Sequence, residues 1–494
     1  MMETLSRLID ILSYDPAEPM IFSSGLFLYL FLGFTFVYYL LRRRLDARLL
    51  FVTLFSYYFY YKSSGVYFFL LAVVTVSDFL LARSIYLLRH DRRRRKWLLA
   101  LSLGIDLGLL AYFKYTNFFA GMVAQMIGSN FQPWDIFLPV GISFFTFQSM
   151  SYTIDVYRGR LKPLHRLLDY AFYVSFFPQL VAGPIVRASE FVPQIRRKLH
   201  ISRTMFAQGV LFVAMGLLKK AVVSDYISLN FVDRVFDNPT LFSGGEVLLG
   251  LYGYSIQIYC DFSGYSDMAI GIALLLGFRF PQNFNAPYKA SSVSDFWRRW
   301  HISLSSWIRD YVYISLGGNR HGRVRMYLNQ MVSMTLCGLW HGASLNFVVW
   351  GAMHGLLVCL HKMFSQSVLG HDSHYRPHGW KRVAAVVLTF NVVSLMWVFF
   401  RNQDFASAQL MLSQMVTRFD WQVAVQAVVA YKYVFAMILL AFVAHFMPSS
   451  WQQRMVRVLE RGGIVGCALL IVAVVYLIIQ VKTADVQPFI YFQF

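Results

Sequence analysis

The chain has 494 residues, of which 57% are hydrophobic and only 14% are charged. Soluble domains are typically about 45–50% apolar and about 25% charged, so this composition excludes an ordinary soluble enzyme and predicts a polytopic membrane protein. The net charge of +20 falls in short basic clusters, as in cytoplasmic loops, which favours membrane lipid over nucleic acid as a partner. The four cysteines lack metal-ligand spacing, and we expect no metal site.

Apolar runs begin near residue 21 and recur to the end of the chain. Since about twenty apolar residues cross a membrane, we predict an all-α fold of about 10–12 spanning or re-entrant helices around a central funnel. We expect a single integral membrane domain over residues 1–494. Its N-terminal helices would occupy residues 21–130, its functional core residues 138–351, and its C-terminal helices residues 380–494.

Basic residues set the predicted orientation. RRRLDAR (Arg42–Arg48) and RHDRRRRK (Arg89–Lys96) follow apolar runs and should lie on the cytoplasmic side. Basic residues also flank FFPQLVAGPIVR (Phe176–Arg187), whose prolines and glycine would interrupt a spanning helix. This pattern favours a re-entrant loop buried in protein, with an ordinary kinked helix as the alternative.

Carboxylates interrupt a later apolar run, in YCDFSGYSDMAIG (Tyr259–Gly271). A charged side chain at membrane depth is costly unless it faces a partner or a wet cavity. Asp261, Tyr265 and Asp267 are therefore predicted to line the funnel. The alternative is that the serines and glycines of this stretch simply mediate close helix packing.

A polar, basic segment follows Gly277. With Ser294 as N-cap, its apolar residues recur at helical spacing and predict one amphipathic helix at the cytoplasmic interface, with a tryptophan-rich side towards the membrane. Trp297, Arg298 and Arg299 have two interpretations. They either anchor the helix to anionic headgroups or hold a phosphate-bearing donor. His301 falls on the apolar side of this helix.

GLWHGAS (Gly338–Ser344) places His341 within a predicted span over Met326–Leu360. An ionisable residue at membrane depth is a functional hypothesis by default, and histidine can take and return a proton near neutral pH. The glycines permit close approach of a backbone or a ligand. With His301, this predicts a membrane-embedded transferase or hydrolase that uses histidine, or a transporter with a proton relay.

A series of segments in chain order is distinctive: LPVGISFFTFQSMSYTIDVYRG, FFPQLVAGPIVR, DFSGYSDMAIG, GFRFPQNFNAPY, FWRRWHISLSSWIRDYVYISLGGNR, GLWHGAS and PFIYFQF. Together they resemble the membrane-bound O-acyltransferase family, especially its bacterial polysaccharide (alginate-type) branch. The resemblance implies that His341 is the principal catalytic histidine and His301 its partner, without saying which is the base. It also suggests that the substrate route through the funnel is lined by Asp261, Tyr265, Asp267 and Trp340. The entrance for the acyl donor would be formed by Trp297, Arg298 and Arg299.

The resemblance further implies a function. The protein would take an acetyl group from a cytosolic thioester, with acetyl-CoA as a substrate rather than a bound cofactor. It would pass the group across the bacterial inner membrane to a hydroxyl of an exported partner protein or an exopolysaccharide such as alginate or cellulose. Two alternatives stay open: an acyltransferase that uses a carrier protein, for example for D-alanine, and a non-catalytic acyl or glycan transporter. The transporter predicts inverted repeats, which the sequence does not show.

Overall fold

The computed structural model describes residues 2–16, 19–368, 370 and 377–481. Every regular element within these residues is helical, which confirms the predicted all-α class. The C-terminal segment PFIYFQF lies outside the described residues. The chain divides into two compact units, one formed by Met1–Gly209 with Met268–Pro281 and the other by Val210–Asp267 with Gln282–Phe494.

Ten α-helices of the described residues lie wholly in the first unit. They are α1 (Met2–Leu12), α2 (Gly25–Leu40), α3 (Leu45–Ser64), α4 (Phe68–Leu87), α5 (Arg92–Leu110), α6 (Thr116–Met126), α7 (Ile142–Tyr157), α8 (Leu167–Ser175), α9 (Phe177–Leu180) and α10 (Ala188–Ile195). Gly65, with φ of 59°, separates α3 from α4, because glycine adopts this left-handed conformation without a steric penalty. The chain can therefore leave one helix and start the next within three residues.

The stretch Phe176–Arg187 is broken, as its prolines and glycine predicted. Only the short α9 is helical there, and the residues from Phe176 to Val186 are buried. Gly183 is required by packing, since a Cβ at this position would lie 2.4 Å from the carbonyl oxygen of Pro178. Irregular backbone of this kind is stable at membrane depth only when protein surrounds it, and here the protein does so.

The second unit contains both predicted functional histidines, His341 at the end of a helix and His301 between two helices. Thirteen α-helices of the described residues lie wholly or mostly in this unit. They are α11 (Arg203–Leu217), α12 (Asp225–Ile227), α13 (Asp233–Asp237), α14 (Gly244–Leu275), α15 (Val293–Trp297), α16 (Ile302–Trp307), α17 (Gly322–His341), α18 (Leu345–Met363), α19 (Gly379–Arg401), α20 (Phe405–Thr417), α21 (Trp421–Ala430), α22 (Lys432–Phe446) and α23 (Ser449–Val481). Gly463 interrupts α23 with a non-helical backbone. π-Helical turns follow α11, α12 and α16.

The single span predicted over Met326–Leu360 is wrong, because the chain turns back after His341. Helices α17 and α18 form an antiparallel hairpin that touches at two glycines. A Cβ on Gly338 would lie 2.1 Å from the carbonyl oxygen of Phe347 and 2.9 Å from the Cα of Gly351. Small residues of this kind let two helix backbones approach closely in membranes. The hairpin places His341 at its tip.

Seven helical segments among the described residues are long and apolar enough to cross a membrane, and the bent pair α21–α22 raises the number to eight. The protein is thus a multi-pass membrane protein. The count is lower than the predicted ten to twelve spanning or re-entrant helices. Two predicted spans are not among these segments. Helix α7 has only 16 residues, and polar side chains lower the hydropathy of α14.

Candidate active site

His301 lies at a break in the segment that was predicted to form one interfacial helix. The first helix is capped by Ser292, whose hydroxyl accepts from the amide of Asp295 at 3.1 Å, and not by Ser294. His301 has a φ of 42° and separates α15 from α16. A left-handed backbone at a residue with a Cβ costs on the order of 1–3 kcal/mol and persists where its surroundings dictate it.

The tryptophan-rich side of this segment packs inside the protein rather than facing the membrane. Trp297 is 8% exposed and Trp300 is 1% exposed. The expected orientation of this side is therefore wrong. The apolar periodicity correctly identified the buried side chains, but a buried surface against protein and one against lipid have the same pattern.

The imidazole of His301 is held by a short hydrogen-bond network. Its Nδ1 lies 3.1 Å from Oδ1 of Asn283. The same oxygen accepts from the backbone N–H of Ser303 at 3.2 Å and from its hydroxyl at 2.9 Å, while Nδ2 of Asn283 donates to Ser266 at 3.0 Å. Burial lowers the pKa of His301 to about 3, since a charged imidazolium is poorly solvated there. The ring is therefore neutral at physiological pH.

His341 ends α17 and is 2% exposed. Its ring centroid lies 5.0 Å from that of Trp340, 5.2 Å from Trp350 and 5.3 Å from Phe400. The Trp340 ring also lies 6.0 Å from the ring of His301. The structure thus brings both predicted histidines into contact with the same tryptophan, Trp340.

Aromatic rings also surround His301. Phe262 of α14 lies 4.7 Å from it, centroid to centroid, and Phe284 lies 6.4 Å away. Walls of this kind exclude water, which strengthens the electrostatic interactions inside a site and suppresses hydrolysis of a reactive substrate. The two histidines therefore share a buried, aromatic environment.

A cavity of about 710 Å³ lies next to this cluster. Among its described lining residues six are lysines or arginines, two are histidines and one, Asp295, is acidic. The six basic residues are Lys289, Arg298, Arg299, Arg309, Lys362 and Arg382. Neither His301 nor His341 lines the cavity. Cys337 does line it, and this residue precedes His341 by about one helical turn of 5.4 Å. The cavity can therefore hold an anionic ligand close to the histidine-bearing end of α17.

The three predicted donor-side residues line this cavity together. Arg298 is exposed to solvent, while Arg299 forms an ion pair with Asp295 at 3.0 Å. The indole N–H of Trp297 donates to Nδ1 of His354 at 3.3 Å. This arrangement is compatible with both interpretations, in which the arginines hold a phosphate-bearing donor or anchor a helix to headgroups.

The predicted funnel residues on α14 lie elsewhere in the second unit. Asp261 pairs with Lys220 at 2.6 Å, and Asp267 pairs with Lys219 at 2.6 Å. Tyr265 is 2% exposed. None of these three α14 residues lines the basic cavity. Ion pairing to lysines accounts for both carboxylates, because a buried charge is stabilised by an opposite charge at close range.

The sequence interpretation missed several residues that contact the predicted ones. The lysine pair at 219–220 had a signal, since it interrupts an apolar run and calls for acidic partners. Asn283, Trp350 and Phe400 had none, because a buried amide or an aromatic side chain is equally common in cores without function. They become candidates only through their contacts with His301 and His341.

Comparison with known proteins gives consistent results. The model of the MBOAT, membrane-bound O-acyltransferase family matches residues 111–401. The probable alginate O-acetylase of Pseudomonas aeruginosa is 40% identical over 416 residues, covering 82% of this chain and 76% of the relative. The peptidoglycan O-acetyltransferase of Helicobacter pylori is 38% identical over 367 residues (69% and 68%). The teichoic acid D-alanyltransferase of Bacillus subtilis is 29% identical over 292 residues (55% and 71%).

Proposed function

This chain belongs to the membrane-bound O-acyltransferase family and is an O-acyltransferase, and we propose that it transfers an acetyl group from cytosolic acetyl-CoA. The acceptor is a hydroxyl of an exported partner protein or of an exopolysaccharide, reached across the bacterial inner membrane. Support for the acceptor comes from relatives named for alginate, peptidoglycan and teichoic acid, all of them polymers outside the cytoplasm.

The basic lining of the 710 Å³ cavity is the observation that supports free acetyl-CoA, rather than a carrier protein, as the donor. Coenzyme A has a diphosphate and a 3′-phosphate, whereas the phosphopantetheine arm of a carrier protein is attached through one phosphodiester. Arginine binds phosphate oxygens through two parallel N–H donors. Six basic side chains against one acidic side chain among the described lining residues suit the more highly charged free coenzyme.

The reaction follows from the two histidines. His341 removes the proton of the acceptor hydroxyl, whose oxygen attacks the thioester carbonyl carbon. The tetrahedral adduct collapses, the carbon–sulfur bond breaks, and the coenzyme A thiolate takes the proton back from the imidazolium of His341. An ester and a free thiol are the products. His301 acts beside it, on the acceptor or on the carbonyl oxygen.

Other predicted residues shape the route to this point. Trp340, which contacts both histidine rings, forms a wall of the reaction chamber. We place Asp261, Tyr265 and Asp267 along the acceptor route, since Phe262 on the same stretch of α14 contacts His301. The ion pairs with Lys219 and Lys220 would then fix the position of α14 rather than bind substrate.

The test uses membrane vesicles that contain the full-length protein. Acetyl-CoA labelled in the acetyl group is supplied on the cytoplasmic face, together with candidate exported acceptors, and the labelled products are identified by mass spectrometry. We expect ester-linked label on the acceptor. If the label stays on acetyl-CoA and transfer occurs only from an acyl carrier protein, the donor is the carrier protein and not acetyl-CoA. Movement of an acyl compound or glycan without ester formation would indicate a transporter.

A further inference from the structure

We propose that Asn283 is a positioning residue that holds His301 as its Nδ1–H tautomer, so that the Nε2 lone pair receives the hydrogen bond of the acceptor hydroxyl. No property of the sequence assigns Asn283 a role. The tautomer follows from the geometry alone, whereas the contact with the acceptor rests on the proposed acyl transfer.

The orientation of the Asn283 amide is fixed without reference to the histidine. The backbone N–H of Ser303 can only donate, and it points to one terminal atom of the amide at 3.2 Å. That atom must therefore be the oxygen, because an NH₂ group would face another donor. The opposite nitrogen donates to the hydroxyl of Ser266 at 3.0 Å, which can accept. Asn283 is completely buried, so both bonds are made inside the protein.

The orientation of the amide determines the proton on the histidine. Oδ1 of Asn283 lies 3.1 Å from Nδ1 of His301, and a carbonyl oxygen can only accept. Nδ1 must then carry the proton, and in a neutral imidazole the other nitrogen carries a lone pair. The hydroxyl of Ser303 is 3.4 Å from the same Nδ1, but its hydrogen is used at the shorter distance of 2.9 Å to Asn283. The aromatic rings around His301 disfavour a second proton.

Backbone hydrogen bonds hold Asn283 and His301 in fixed positions relative to each other. The amide of Ile302 donates to the carbonyl of Asn283 at 2.9 Å, and the amide of Asn285 donates to the carbonyl of Arg299 at 2.9 Å. Two backbone bonds thus join the loop that carries Asn283 to the break that carries His301. Both residues are placed by the same contacts, which also stabilise the left-handed backbone of His301.

The tautomer decides between the two roles available to His301. A neutral imidazole with a lone pair at Nε2 accepts a hydrogen bond from a hydroxyl, but it cannot donate one to a negatively charged carbonyl oxygen. His301 therefore orients the acceptor and does not stabilise the oxyanion. Stabilisation of that charge falls to other donors in the site.

The kinetic test compares three variants of the full-length enzyme in vesicles. Asn283→Leu removes the acceptor for Nδ1–H, and we expect kcat to fall by about 10²- to 10⁴-fold, the scale seen when a tautomer-fixing group is lost. Asn283→Asp keeps an acceptor oxygen, and its kcat should be at least tenfold higher than that of Asn283→Leu. Asn329→Leu is the matched control, since Asn329 is also buried but donates to the carbonyl of Gly318. Equal kcat for N283L and N283D would overturn the proposal.

A spectroscopic test needs no activity and uses the unaltered protein. Histidine labelled with ¹⁵N at Nδ1 only is incorporated, and the His301 signal is assigned by its loss in His301→Gln. We expect a protonated Nδ1 at neutral pH. An unprotonated Nδ1, or an imidazolium, would overturn the tautomer assignment even if N283L does not fold. If the tautomer is confirmed but no acetyl transfer occurs in the parent protein, the proposed function fails and the tautomer stands.

Discussion

The imidazole of His341 ends a helix and meets three aromatic rings within 5.3 Å, centroid to centroid. At the end of a helix, a side chain is more accessible to a substrate than it is inside the helix. The three aromatic rings restrict the orientation of the imidazole. His301 obtains the same restriction from Asn283 and from a strained backbone. In both cases the proposed functional imidazole is held in place by neighbouring residues, and such preorganisation reduces reorganisation during catalysis.

Replacing His341 tests the proposed base. His341→Ala should lower the single-turnover rate of acetyl transfer by about 10²- to 10⁴-fold, the usual contribution of a general base, while binding of acetyl-CoA is retained. The rate and the affinity are measured separately, by quenched-flow transfer and by equilibrium binding to the vesicles.

His445, a buried histidine outside the His301–His341 cluster, serves as the control for this prediction. His445 is 6% exposed, and its Nε2 accepts from the backbone N–H of Tyr288 at 3.1 Å. His445→Gln should therefore affect the stability of the protein and leave the rate of the folded enzyme close to that of the parent. A His341→Ala rate within threefold of the parent would show that another group is the base.

At the scale of elements, the α17–α18 hairpin is the part that delivers His341. Gly338 and Gly351 lie at the closest approach of the two helices, where a Cβ on Gly351 would be 2.4 Å from the carbonyl oxygen of Met334. The ring of Phe347 covers Gly342 so closely that a Cβ there would be 2.0 Å from it. Any change in the spacing of these helices must move the tip of the hairpin, because protein interiors are tightly packed.

Alanine at the glycine contact is expected to separate the helices. Gly338→Ala and Gly351→Ala should each lower stability by about 1–3 kcal/mol, the usual cost of overpacking, and should reduce kcat by displacing His341. Thermal unfolding in detergent and the transfer rate measure the two effects. Gly33→Ala and Gly108→Ala are the controls, since nothing lies within 4 Å of a Cβ at either position. Parent-like values for both hairpin variants would contradict this account of the hairpin.

The elements also show what the sequence could and could not predict. Helical periodicity identified the buried residues of the Trp297–Trp307 region, because it depends only on local spacing. It did not reveal the break at His301, which depends on hydrogen bonds from Asn283 in a separate loop. Likewise the glycines around His341 correctly predicted a close approach, but Phe347 and α18 make that approach, and the pattern alone does not distinguish protein from substrate.

At the scale of the whole molecule, composition predicted the membrane class because it sums over all helices and does not depend on how they pack. The distribution of charge was only partly predictable. Basic clusters were visible in the sequence, but Arg298 and Arg299 share a cavity with Lys362 and Arg382 from much later in the chain. Only the tertiary fold gathers part of the net charge of +20 into one basic cavity, the proposed site for an anionic donor.

Salt should therefore weaken the binding of the proposed donor. As ionic strength rises from about 0.1 to 1 M, the screening length falls from about 10 to about 3 Å, and charges in an open cavity interact less. We expect the KM for acetyl-CoA to rise about fivefold or more over this range, with little change in kcat. Initial rates of acetyl transfer in vesicles measure both constants.

A donor without phosphates separates this effect from a general effect of salt on the protein. S-acetyl-N-acetylcysteamine retains the thioester but offers no charge to the cavity, so its KM should be high and nearly independent of salt. Arg298→Ala should reduce the salt dependence for acetyl-CoA, whereas Arg323→Ala, an exposed arginine outside the cavity lining, should not. If both donors responded to salt equally, the cavity would not be the phosphate site, and the basic residues would serve the membrane surface instead.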